Sequence, residues 1–156
     1  MKKFWLAAAL AAGLTSAVHA GMPLQLGIAG DYAQIFAQER EITGLKLNLP
    51  YAVNDYASGI DLGIVGNVGE FTGLRLNAFN YTGIRCSGVE LGLVNINNGE
   101  FTGFQFGAIN RVEDMHGFQL GLINVAHRLH GIQLGLLNVV TGGRAHSAIL
   151  FVNWNF

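Results

Sequence analysis

The chain has 156 residues, 51% of them apolar and only 12% charged, with nine Lys plus Arg against ten Asp plus Glu. That near balance excludes the basic excess of a nucleic-acid binder, and the apolar content excludes a disordered chain. A single cysteine, Cys86, allows neither an internal disulfide nor a cysteine-based zinc motif.

In chain order, residues 1–20 read as a cleaved signal peptide. Met1-Lys2-Lys3 is positive, Phe4 to Leu14 is apolar, and Val18-His19-Ala20 offers small residues at the cleavage point. Cleavage would leave 136 residues with a formal charge of −3. No later apolar run is long enough for a transmembrane helix, so membrane entry would have to use strands. Residues 21–43 form an N-terminal strand or cap segment, in which Leu24-Gln-Leu-Gly-Ile28 echoes the repeat that follows.

Residues 44–156 form a repeat domain. Units of the form Gly-φ-x-φ-Gly-φ-φ-Asn, φ being apolar, begin at Gly44, Gly59, Gly73, Gly88, Gly103, Gly117 and Gly131. Their apolar residues alternate with Gly, Gln or a charge, which is the two-residue period of a strand. An eighth, degenerate unit carries Asn153 in the asparagine place. The predicted class is all-β.

Odd and even units differ from each other and match their alternates, which predicts duplicated hairpins. Asn98-Gly99 supplies a tight-turn dipeptide. With it as the turn, Leu93 would face Phe104, Leu91 would face Phe106 and Val89 would face Ala108. Eight to ten such strands would close an up-and-down antiparallel transmembrane barrel. Lys46, Asp61, Arg75, Glu90, Gln105, Gln119 and Gln133 would line its lumen, and Phe79, Tyr81 and Phe101 would be among its interfacial aromatics. The alternative is a parallel β-solenoid with coils of 14–15 residues. Lys46, Asp61, Arg75 and Glu90 would then stack as alternating charges and the asparagines as an amide ladder. The two-unit period and the hairpin dipeptide favour the barrel.

The last strand ends at Phe156, with Leu150, Val152 and Trp154 at alternate positions before it. It resembles the terminal strand by which Gram-negative outer-membrane barrels are recognised by their assembly machinery. Aligned on the asparagines, its apolar face falls one residue out of phase with the other units, so a bulge or a shifted register is expected. The tandem Gly-φ-Gln-φ-Gly-φ-φ-Asn units resemble those of bacterial surface-repeat proteins. Together these resemblances imply an outer-membrane location and a structural or surface-interaction role. Outer-membrane lipid and the outer-membrane assembly and secretion machinery would be the partners. The solenoid alternative implies a soluble periplasmic or secreted binding or adhesion module.

Chemistry is sparse. His116, His130 and His146 precede successive units and would share a column in a solenoid, where they could hold a metal. The plainer reading is polar turn residues, since Thr43, Ser58, Thr72, Ser87 and Thr102 fill the same place. Cys86 takes a place held elsewhere by Phe71, Phe101, Met115 and Leu129, which marks it as apolar packing and not a nucleophile. No nucleophile elbow, phosphate-binding loop or zinc-protease motif occurs, so neither an enzyme nor a cofactor is expected.

Overall fold

The computed structural model describes residues 22–28, 34–142 and 147–156. The expected signal peptide and His146 lie outside them. The architecture is all-β: β1 (Met22–Gly27), β2 (Ile42–Leu91), β3 (Val94–Val140) and β4 (Ser147–Asn155) form one open mixed sheet in the order β1-β2-β3-β4. At about 3.3 Å per residue a straight β2 of 50 residues would run roughly 165 Å, so the long strands must fold back on themselves repeatedly.

The β2/β3 register is parallel, with Val89 beside Phe104, Glu90 beside Gln105 and Leu91 beside Phe106. This corrects the antiparallel hairpin expected at Asn98-Gly99. The dipeptide stays extended within β3, and its neighbourhood is spent on lateral contacts with the preceding unit. Asn97 turns inward to donate to Glu90 at 2.8 Å, and Asn98 donates to the Tyr81 hydroxyl at 2.7 Å. A shift of one repeat places like beside like: Asn80 beside Asn95, Gly88 beside Gly103. A hairpin would set Glu90 opposite Gly107 and deny its carboxylate these donors.

The two glycines of the motif do different work. Gly103 has φ +134°, and a Cβ there would run into the Gly88 carbonyl; the same relation recurs up the column of leading glycines. The second glycine makes room for the asparagine amides. A Cβ on Gly121 would lie 2.6 Å from Asn110 Nδ2 and 2.9 Å from Asn124 Oδ1. Two places before the leading glycines runs an apolar column in which Ile42, Ala57, Phe71, Cys86, Phe101, Met115 and Leu129 succeed one another, all buried. Each large member contributes about 1.5–3 kcal/mol by leaving water.

At the N-terminal end β1 lies parallel to the start of β2, with Gln25 beside Lys46. Residues 34–41 turn over this end, where Gln25 exchanges two hydrogen bonds with the Phe36 backbone at 2.9 and 3.0 Å. At the other end β4 runs antiparallel to β3. Its register slips between Gly135 and Asn138, opposite Phe151 at φ +69°, in keeping with the bulge or shifted register expected of the last strand. The slip corrects one placement. Asn153 pairs with Gln133 and donates to it at 3.1 Å, so it ends the glutamine column and not the asparagine one.

Candidate functional site

The polar residues expected in a lumen form one buried column. Lys46, Asp61, Arg75, Glu90, Gln105, Gln119 and Gln133 are each 0–1% exposed. Arg75 organises the charged half, donating to Asp61 at 3.0 Å, to Glu90 at 3.1 Å, to the Thr82 hydroxyl at 2.6 Å and to the Gly66 carbonyl at 2.8 Å. Its guanidinium also lies 5.4 Å from the centre of the Phe71 ring, a cation–π distance. Burial alone would lower the Arg75 pKa, but Asp61 and Glu90 outweigh it and hold the pKa above its ordinary value. Lys46 is less well served. It donates to the Asn67 carbonyl at 2.9 Å, and burial pushes its pKa down to about 8 despite Asp61. Cys86 beside this cluster is driven up to about 12 by burial and by Glu90, so the buried thiol is not poised as a nucleophile.

Beyond Glu90 the column is neutral and directional. Gln133 donates to Gln119 at 2.8 Å and Gln119 to Gln105 at 2.7 Å. A second ladder lies beside it, in which Asn80, Asn95, Asn110 and Asn124 each donate at 2.8 Å to the next asparagine. The asparagine amides donate toward the C-terminal end and the glutamine amides toward the N-terminal end, so the two rows of side-chain dipoles oppose each other. Sequence reasoning missed Asn48, Asn77, Thr82 and Asn97 as members of this interior. Only their alternation with outward residues signalled it. Gln25 could have been assigned to the column from its Leu-Gln-Leu-Gly setting.

Outside, the surface divides in two. In every unit from Gly44 to Gly131 the second, fourth, sixth and seventh places point outward or lie at the surface, and all hold Leu, Ile, Val, Phe, Ala or Pro. Leu76, Leu93, Phe106, Leu122 and Leu136 are among the most exposed. β4 extends this face, because Trp154 pairs with Ile132 and Val152 with Leu134. Leu150, Val152, Trp154 and Phe156 are exposed, Phe156 at 88%.

The exposed charges of the described residues fall elsewhere, in the N-terminal turn and in the segments that join one unit to the next. There Arg85 meets Glu100 at 3.6 Å and Arg128 holds Asp114, whose carboxyl it keeps below the ordinary range through hydrogen bonding. His116 and His130 stack on this side with ring centres 4.7 Å apart, so neighbouring units bring them together. His127 instead meets Thr141 at 3.1 Å and Glu113 at 3.9 Å. No group of three or more metal-ligating side chains exists among the described residues. No helix there is long and apolar enough to cross a membrane. Comparison with protein-family models, with curated proteins and with solved structures found no match.

Proposed function

We propose that this chain is an exported β-solenoid that rests on outer-membrane lipid through its uncharged face, serving a structural or surface-interaction role without catalysis. The parallel offset of 15 residues and the stacking of Gly on Gly and Asn on Asn support the solenoid over the barrel. In a solenoid the two-unit period is the alternation of Lys46, Asp61, Arg75 and Glu90, in which Asp61 and Arg75 each lie between opposite charges.

The observation that carries the functional reading is the segregation of charge. Seven units spaced by about 4.8 Å and six residues wide give an apolar face of roughly 600 Å², at the upper end of the largest patch an ordinary soluble monomer exposes. A protein interface of that size would carry about one hydrogen bond per 100–200 Å². This face offers no polar side chain to make one, and hydrocarbon is the surface that asks for none. The chain would lie on the leaflet with its charged joining segments in water, in the manner of monotopic proteins. The exposed Trp154 and Phe156 at one end suit the headgroup level.

Expression with the leader intact, followed by cell fractionation and flotation of the purified chain with phosphatidylethanolamine/phosphatidylglycerol vesicles, tests this. The expected result is recovery with the outer membrane and co-flotation. A chain that stays soluble and sediments away from vesicles overturns the reading. A heat-dependent shift in gel mobility overturns the solenoid in favour of a closed barrel.

A further inference from the structure

The uncharged face is not flat. Between its fourth and sixth columns the chain dips at the fifth place of the units, which is glycine at Gly63, Gly92, Gly107 and Gly121 and asparagine at Asn77. Two clefts of about 440 and 430 Å³ open there, one from Gly63 to Phe106 and the other from Gly92 to Leu122. They share Gly92, Leu93 and Phe106, so they form one groove. Leu91 and Phe106 stand on one wall, Leu93 and Ala108 on the other, and Gly92 and Gly107 make the floor.

The geometry points to a site for a single acyl chain of a membrane phospholipid, lying along the groove; this rests on the lipid reading above and deepens it. Width selects the occupant. The walls are residues i and i+2 of one strand, about 6.8 Å apart at most, whereas a helix needs about 10–12 Å. A polypeptide strand would leave its backbone N–H and C=O groups facing apolar walls, at a cost of several kcal/mol. A polymethylene chain has neither difficulty. Length agrees as well. The groove crosses five units, from Gly63 to Gly121, or about 19 Å at the sheet spacing. Half of the ~30 Å bilayer core, the reach of one acyl chain, is about 15 Å. Charge is also complementary, since no ionisable side chain lines either cleft.

Ala78 and Ala108 are the small wall residues, and enlarging them fills the groove without adding charge to the face. The mature chain and an Ala78→Phe/Ala108→Phe variant would be loaded on the same phosphatidylethanolamine/phosphatidylglycerol vesicles. Each is then transferred to mild detergent and weighed by native mass spectrometry, with circular dichroism to verify the sheet. The expected result is one phospholipid retained per wild-type chain, at least tenfold less retained by the variant, and equal vesicle flotation of both. Equal lipid retention by both chains overturns the groove while leaving the lipid-facing reading intact, as does flotation without any retained lipid. Failure of both chains to float overturns the reading beneath it. A retained free fatty acid, or a mass corresponding to two chains, overturns the occupant. If the variant loses its sheet signal, Ala108→Leu in place of the pair carries the same comparison.

Discussion

Gln105 donates its side-chain amide to Glu90 at 2.7 Å, and through that bond a row of neutral amides is fastened to a buried ion pair. Glu90 is the acceptor for Arg75 and Asn97 as well, so the carboxylate fixes the direction of every donor beyond it. Aligned amides of this kind polarise one another, which makes the row stronger than its separate bonds and sensitive to its anchor.

Replacing that anchor should therefore be costly although the change is small. Glu90→Gln keeps the shape but turns one acceptor into a donor, which must face Arg75 on one side or Asn97 and Gln105 on the other. Urea unfolding should show a loss of about 2–4 kcal/mol. The double replacement Arg75→Met/Glu90→Met should lose less than the sum of the two single ones, because no unpaired charge is left between that pair. Additive losses would show that the pair is not coupled.

The glycines separate into positions that tolerate a side chain and positions that do not. Gly121→Ala would push a methyl into the Asn110 and Asn124 amides and should cost at least about 3 kcal/mol or prevent folding. Gly83→Ala meets nothing closer than 3.8 Å at an ordinary φ, and should be neutral or stabilising by about 0.5 kcal/mol. Thermal melting of the two variants side by side reads the contrast. Similar melting temperatures would contradict the close stacking of units.

Lys46 gives stability a pH dependence of definite sign. Its folded pKa of about 8 lies below the ordinary lysine value of 10.5, so the unfolded chain holds the proton more tightly. Stability should rise with pH between about 8 and 10.5, by up to about 1.4 kcal/mol per pH unit. Cys86 acts oppositely. Its folded pKa of about 12 lies above 9.0, so its contribution is fully present below pH 9 and is lost above it. The two are separated by comparing the wild type with Lys46→Gln in urea at pH 7 and pH 10.5. The balance should move toward the wild type by about 2–3 kcal/mol over that range, and a constant difference would exclude the buried ammonium as the cause.

Trp154 is the only tryptophan beyond the expected signal peptide, so it reports on the uncharged face directly. Vesicles whose acyl chains carry bromine should quench its fluorescence by more than half, and dissolved iodide should lose most of its own quenching when vesicles are added. Quenching by iodide that vesicles leave unchanged would place Trp154 in water. It would then remove β4 from the lipid contact.

Much of this protein was legible from its residues alone. Alternation of φ with Gln, Gly or charge fixes strands and assigns each side chain to one of two faces, because the side-chain period of a strand is two whatever its neighbours are. The repeat fixes which residues belong to one column, and so Lys46 through Gln133 could be grouped before any partner was known. Neighbour direction was not legible. Leu91 lies beside Phe106 both in the expected hairpin and in the parallel sheet, so that pair cannot distinguish them, whereas Val89 beside Phe104 belongs only to the parallel register. The choice depends on long-range matching of Gln to Gln, Asn to Asn and Arg75 to two carboxylates, which only the folded chain brings within hydrogen-bond reach. The same holds for the groove, since alternation places Phe106 and Ala108 on the outside, but the dip between them becomes a groove only where the fifth places of successive units lie side by side.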